Sequence, residues 1–240
     1  MRPISAVEML DAWDRASALG PARRALELLR AASPEEPPEA LAALSIGTRD
    51  ARLLTLREWF FGPRIEGQIR CRQCSENIEA SFPIAHIRTR AQEPASGFEM
   101  TAGGTPIRFR LPDSTDLDWL ERRQDELRSD PERARHLLLE RCILAGPREL
   151  SERAESELVA RMGELDPQAE TRLAIECPAC HHRGNVLFDV GGFLWQEIHA
   201  WARRMLREVH ALASAYGWSE REIVSMSAAR RAAYLEMVGS

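Results

Sequence analysis

The amino-acid sequence predicts an α+β fold of mainly helical content, with short antiparallel strands set among the helices. Three observations carry that expectation. Over most of the chain apolar residues recur at three- and four-residue spacing, as on one face of a helix. That period gives way to extended, partly alternating sequence around two C-x2-C pairs, Cys71-Arg72-Gln73-Cys74 and Cys177-Pro178-Ala179-Cys180. The two extended stretches match at a constant offset of 106 residues, aligning Ile69 with Ile175, Cys71 with Cys177, Cys74 with Cys180, Phe82 with Phe188 and Ile84 with Val190.

Composition sets the bounds. With 240 residues, 44% hydrophobic and 29% charged, the chain has enough apolar material for a sizeable core, which argues against wholesale disorder. No uninterrupted apolar run approaches the roughly 18 residues of a membrane-spanning helix. Glu8 and Asp11 interrupt the N-terminus before an apolar signal region forms, so no secretory signal and a cytoplasmic location are expected. All 32 basic residues are arginine, a bias that reads as GC-rich coding rather than as mechanism.

Residues 1–62 read as an N-terminal helical segment. Ile4, Val7, Leu10 and Trp13 mark a first helix, and Pro21 opens a second carrying Ala25, Leu26, Leu28 and Leu29. Ser33-Pro34-Glu35-Glu36-Pro37-Pro38 reads as a loop. Thr48 is the expected cap of a helix running through Phe60, with Leu53, Leu54, Leu56 and Trp59 apolar and Gly62 ending it. Residues 63–112 hold the first C-x2-C strand pair and a hairpin turning at Ala102-Gly103-Gly104. An acidic helical insert occupies residues 113–170, with 16 acidic and 9 basic side chains. Ser114 is its first expected cap, Asp130-Pro131-Glu132 opens a helix to about residue 145, and a third helix covers 150–162. Extended sequence returns at 171–190. The C-terminal helical unit, 191–240, starts with an amphipathic helix of Leu194, Ile198, Trp201, Met205, Val209 and Leu212. Two short helices follow, one opened by the capping box Ser219-Glu220-Arg221-Glu222 and one capped by Ser227.

The cysteines carry the chemistry. Five in a chain without a signal peptide, four of them in two C-x2-C pairs, point to metal before disulfides. A C-x2-C turn, or knuckle, lets two thiolates converge on one ion, and two knuckles complete a tetrahedral site with Zn–S near 2.3 Å. The expectation is one structural zinc per chain held by Cys71, Cys74, Cys177 and Cys180, on a zinc ribbon split into halves. The 102 residues between the pairs far exceed the usual spacing of roughly 15 to 20, so residues 83–170 must leave and return to one place. Disulfides, or pairs that have lost their metal, are the competing readings. A thioredoxin-like redox motif is disfavoured because polar, extended sequence, not a helix, follows each pair. His181 and His182 directly follow Cys180 and are expected in solvent or behind the ligands, and Cys142 is expected in an apolar core.

A site closed by four thiolates leaves no position for substrate water, so it supports folding rather than catalysis. The sequence has no H-E-x-x-H, G-x-S-x-G or G-x-G-x-x-G, and without lysine it has no P-loop. No enzyme activity, catalytic residue or further cofactor is expected. Arg64, Arg70, Arg72, Arg88 and Arg90 cluster around the first knuckle, and residues 219–238 can be read as a helix-turn-helix bearing Arg230 and Arg231. A zinc-ribbon nucleic-acid-binding regulator is therefore the alternative, disfavoured by a net charge of −5 and the lack of a basic stripe. Trp195, Trp201, Tyr216 and Trp218 concentrate aromatic surface near the C-terminus, for a core or for an interface.

The segment Leu44-Ser45-Ile46-Gly47-Thr48-Arg49-Asp50-Ala51-Arg52-Leu53-Leu54, followed by Phe61-Gly62-Pro63 and the knuckle, resembles proteins of phage-tail and contractile-injection gene clusters. Phe193-Leu194-Trp195-Gln196-Glu197-Ile198, Glu208-Val209-His210, Ala215-Tyr216-Gly217-Trp218-Ser219-Glu220 and Arg230-Arg231-Ala232-Ala233-Tyr234-Leu235 are similar to the T-even-type phage baseplate family. The resemblance spans residue 40 to the end. It implies a non-enzymatic baseplate or tail-assembly protein whose partners are other tail or baseplate proteins, with no membrane partner, located in the cytoplasm or in the finished particle.

Overall fold

A computed structural model describes residues 1–89, 97–147 and 149–238, and its architecture is α+β and mainly helical. Helix α1 (Ala6–Ala16) begins with a reciprocal cap: the Ser5 hydroxyl accepts from the Glu8 amide, and the Glu8 carboxylate accepts from the Ser5 amide. Proline in the first turn opens α2 (Pro21–Ala32), and the proline-rich loop leads into the short α3 (Pro38–Ala42). Helix α4 (Ile46–Phe61) starts earlier than expected, because Ser45 and not Thr48 is the cap; its hydroxyl accepts from the Thr48 amide at 3.2 Å. Ser45 is held there by a bridge to Asp113, while the Ile46 amide donates to Pro112 O, contacts that sequence periodicity does not reveal. Gly62 ends α4 at φ +92°, a value that favours glycine.

Two antiparallel hairpins come next in order: β1 (Arg64–Arg70) with β2 (Asn77–Pro83), then β3 (Phe98–Ala102) with β4 (Thr105–Phe109). Gly103 and Gly104, both at positive φ, form the tight turn of the second. Helix α5 (Ser114–Glu121) is capped by Asp113 rather than Ser114: the Asp113 carboxylate accepts from the amides of Thr115 and Asp116. A carboxylate also suits the positive end of the helix dipole. After α6 (Gln124–Leu127), α7 (Pro131–Cys142) stops short of residue 145 because β5 (Ile143–Ala145) pairs with β4 as the third strand of that sheet. The insert is therefore not purely helical. Helix α8 (Glu152–Leu165) closes it, and the second knuckle hairpin, β6 (Arg172–Glu176) and β7 (Arg183–Leu187), follows. The chain ends in the 27-residue α9 (Val190–Tyr216), α10 (Glu220–Ser225) and α11 (Ala228–Val238).

Two apolar cores result. In the first, Leu194, Ile198, Trp201 and Met205 of α9 pack with Met9, Leu28, Leu29, Leu53 and Leu56, so α9 is the spine of the body. The buried Arg57 on α4 grips Glu197 on α9 through two contacts of 2.8 and 3.0 Å. In the second, Ile107 and Phe109 pack with Leu139, Cys142, Leu158 and Met162, so β3 and β4 share a core with α7 and α8. Beside it Asp116, fully buried, accepts from Arg110 twice and from Arg141.

The seam between the two cores is largely polar. Arg23 pairs with Asp118, and Glu121 accepts from the Ala22 amide at 2.8 Å. Gln168 accepts from the Thr89 amide and donates to Ile87 O and Thr171 Oγ1, so one buried amide side chain joins the segment leaving the first hairpin to the one entering the second. Asp166 accepts from the Gly47 amide at 2.8 Å, and a Cβ on Gly47 would stand 2.1 Å from its Oδ1 and 2.8 Å from Ala169 N. Replacing Gly47 with Ala should therefore push the insert off α4 and lower stability by about 2 kcal/mol or more. Urea denaturation measures this, and an unchanged midpoint would count against the docking.

Candidate metal centre

The two knuckle hairpins are built alike down to single hydrogen bonds. In the first, the Cys71 amide donates to Glu76 O and the Ser75 amide to Cys71 O; in the second, the Cys177 amide donates to His182 O and the His181 amide to Cys177 O. Strand registers correspond too: Glu66 faces Ser81 and Ile69 faces Ile78, while Arg172 faces Leu187 and Ile175 faces Gly184. Both pairs of partners are related by the same 106-residue shift that the sequence carries. Each turn then places a residue without the freedom of glycine in the left-handed region, Ser75 at φ +61° and His181 at φ +58°. Such residues store about 1 kcal/mol of strain.

The four sulfurs meet between the hairpins. The Sγ atoms of Cys71, Cys74, Cys177 and Cys180 all lie within 4.8 Å of one another, the only such cluster of metal-ligating groups among the described residues. Contacts cross from one knuckle to the other, Cys71 to Cys180 at 3.7 Å and Cys74 to Cys177 at 3.6 Å. Four sulfurs each about 2.3 Å from a central ion stand about 3.8 Å apart, so this spacing fits a tetrahedral metal site. It is far from the disulfide bond length of about 2.05 Å, and all five cysteines are free.

Around the sulfurs, Ile69, Ile78 and Ile175 form a small apolar cluster with Cys71 and Cys177. The backbone amides of Cys74 and Gln73 hold the Cys71 thiol down to about 6, that of Gln73 donating to the sulfur at 3.4 Å. The Glu76 amide favours the Cys74 thiolate, but the neighbouring Cys180 and the remaining sulfurs outweigh it and push Cys74 up to about 12. Four thiolates cannot all ionise at such range without a cation among them, which is what a metal ion supplies. Phe82 and Phe188 meet edge to face at 6.2 Å, and Phe188 in turn contacts Phe193 at 5.1 Å, so the paired hairpins rest on the start of α9.

Other residues singled out in the sequence have different roles. Cys142 is fully buried in the insert core, and burial pushes its thiol up to about 12. The His181 side chain is 81% exposed and lies outside the sulfur cluster. Arg64 bonds Ser81, Arg70 bonds Ser75 O, and Arg88 bonds Thr55 and Glu58; Arg90 lies outside the described residues. Arg231 is buried, tied to Glu208 and to Met226 O. Trp201 is core, edge to face with Phe60, whereas Tyr216 and Trp218 stack at 4.5 Å and contact Tyr234 at the far end of α9.

Neither Ser75 nor His181 carries a left-handed signature of its own; the common 106-residue offset is the sequence signal that makes them equivalent positions. The repeat also departs from symmetry. Gly67 and Ala80, a cross-strand pair, stand where the second hairpin has Leu173 and Val186. An open cleft of about 650 Å³ lies there, lined also by Phe82, Phe188 and Phe193. Of its carboxylates, Asp189 caps α9, Glu197 is held by Arg57 and Glu66 is exposed on β1. Compared with protein families, curated proteins and solved structures, the chain shows no match in any of the three.

Substitution at His181 separates backbone geometry from ligation. Glycine there should leave the metal content as in the unaltered protein and stability unchanged or up to about 1 kcal/mol higher, while valine should cost about 1 to 2 kcal/mol. Metal content and thermal melting of the two variants check this; loss of metal in the glycine variant would make His181 a ligand.

Proposed function

We propose that this chain is a non-enzymatic structural or assembly protein of a phage-tail-like contractile injection apparatus, acting through protein contacts and stabilised by one structural zinc on a split zinc ribbon. The observation that supports the structural, non-enzymatic part of the reading is the set of four clustered cysteines, which would fill every position of a tetrahedral ion from the chain itself, while the tail-apparatus part rests on the sequence resemblance. Soft thiolates in tetrahedral array suit zinc or an iron–sulfur centre, and zinc is the choice for a site with a purely architectural part to play. The residues that resemble the baseplate family fall mainly on α4, on the spine helix α9 and on α10 and α11 at its far end. Their outer surface offers an aromatic group, Tyr216, Trp218 and Tyr234, of the kind favoured at protein interfaces. The nucleic-acid alternative gains nothing from Arg231, which is committed to Glu208.

Two measurements test the reading. Elemental analysis of purified protein should give about one zinc per chain, and replacing Cys71 or Cys177 with Ser should lose the metal together with the cooperative melting transition. A metal-free chain with an unchanged transition would remove the structural zinc. In cells, deleting the protein should abolish assembled tail-like particles, and the protein should sediment with particles or with their assembly intermediates. Normal particles in the deletion strain would overturn the assembly role.

A further inference from the structure

The four sulfurs differ in what solvent can reach. Cys71 and Cys177 are buried residues, whereas Cys74 is exposed and Cys180 is at least partly so. Each cross-knuckle contact joins one of either kind, Cys180 with Cys71 at 3.7 Å and Cys74 with Cys177 at 3.6 Å. A hydroperoxide arriving from solvent meets a surface sulfur whose contact partner is a sheltered sulfur of the opposite knuckle.

We propose that the metal centre is an oxidation site in which hydroperoxide attack at Cys74 and Cys180 forms the cross-knuckle disulfides Cys74–Cys177 and Cys71–Cys180, releasing the metal while the knuckles stay tied. This rests on the metal reading above. In the first step the exposed thiolate attacks one peroxide oxygen; the S–O bond forms, the O–O bond breaks, and the departing hydroxide takes a proton to leave as water. In the second, the buried thiolate attacks the resulting sulfenic sulfur; the S–S bond forms, the S–O bond breaks, and that hydroxide also leaves as water after taking a proton. Two thiolates thus give two electrons to each peroxide. Two rounds consume two peroxides and all four ligand charges, and the ion departs.

Closing each pair from its present contact to about 2.05 Å needs an approach of roughly 1.6 Å, within the reach of cysteine side-chain rotation and a small knuckle adjustment. The products keep the ends of the 102-residue intervening segment together. Disulfides within a knuckle, Cys71 to Cys74 or Cys177 to Cys180, would instead let the halves part. Cys142, sealed in the insert core, serves as an internal reference.

The test uses the full-length, metal-loaded chain titrated with hydrogen peroxide, with release followed by a chromogenic chelator and disulfides mapped by mass spectrometry of unreduced peptides. Two equivalents should free one metal ion and yield peptides linking Cys71 to Cys180 and Cys74 to Cys177, with Cys142 still alkylatable after unfolding. The oxidised, metal-free chain should keep a cooperative melting transition that the reduced, chelator-stripped chain lacks, and a thiol reductant should restore metal uptake. Linkages within each knuckle, over-oxidation without disulfides, or identical melting of the two metal-free forms would overturn the proposal while leaving the metal reading intact. A preparation that carries no metal before oxidation overturns both.

Discussion

Convergence of Cys71, Cys74, Cys177 and Cys180 joins two hairpins that 102 residues separate in sequence, and the rest of the molecule answers to that closure. By a chain-entropy estimate, closing a loop of about 100 residues removes between 4 and 5 kcal/mol of disorder from the unfolded ensemble. A metal held by the four cysteines would therefore act on the whole chain, although the local apolar cluster is small. It also explains why the hairpins need no continuous sheet between them: each is two-stranded, and the sulfurs with the Phe82–Phe188 contact join them.

What the closure encloses has a core of its own. The insert buries apolar side chains against β3, β4 and β5 and meets the body through arginine–carboxylate pairs, a glycine contact and Gln168. Burial raises Asp166 and Glu121 at this seam above the ordinary carboxylate range, and each accepts a backbone amide from the body. A polar seam of this kind sets orientation more than it adds stability, because each buried charge gives back in desolvation much of what its partner supplies. The apolar driving force stays inside each core.

The legible part of this architecture was periodic or local. Apolar spacing located α9, the glycine pair located the turn between β3 and β4, and the Ser219–Glu222 capping box was visible in four residues. The cysteine spacing with its repeated flanks pointed to the convergence of Cys71, Cys74, Cys177 and Cys180, since two knuckles for one ion have to meet. Hidden were the features that distant chain decides. Ser45 displaces Thr48 as a cap because Asp113 comes alongside, and β5 interrupts a helical run because β4 offers an open edge. Buried Arg49, Asp50 and Arg57 look in sequence like the solvated face of α4, and only the elements packed over them turn that face inward.

Gln168 makes the last point. Its amide group spans the segment that leaves the first hairpin, at Ile87 and Thr89, and the one that enters the second, at Thr171, so the ends of the intervening segment are tied side by side. Together with the contacts of Asp166 with Gly47 and of Glu121 with Ala22, this amide fixes the insert at both its base and its flank, so a change in the insert's length would be felt at α2 and α4 as well as at its tied ends.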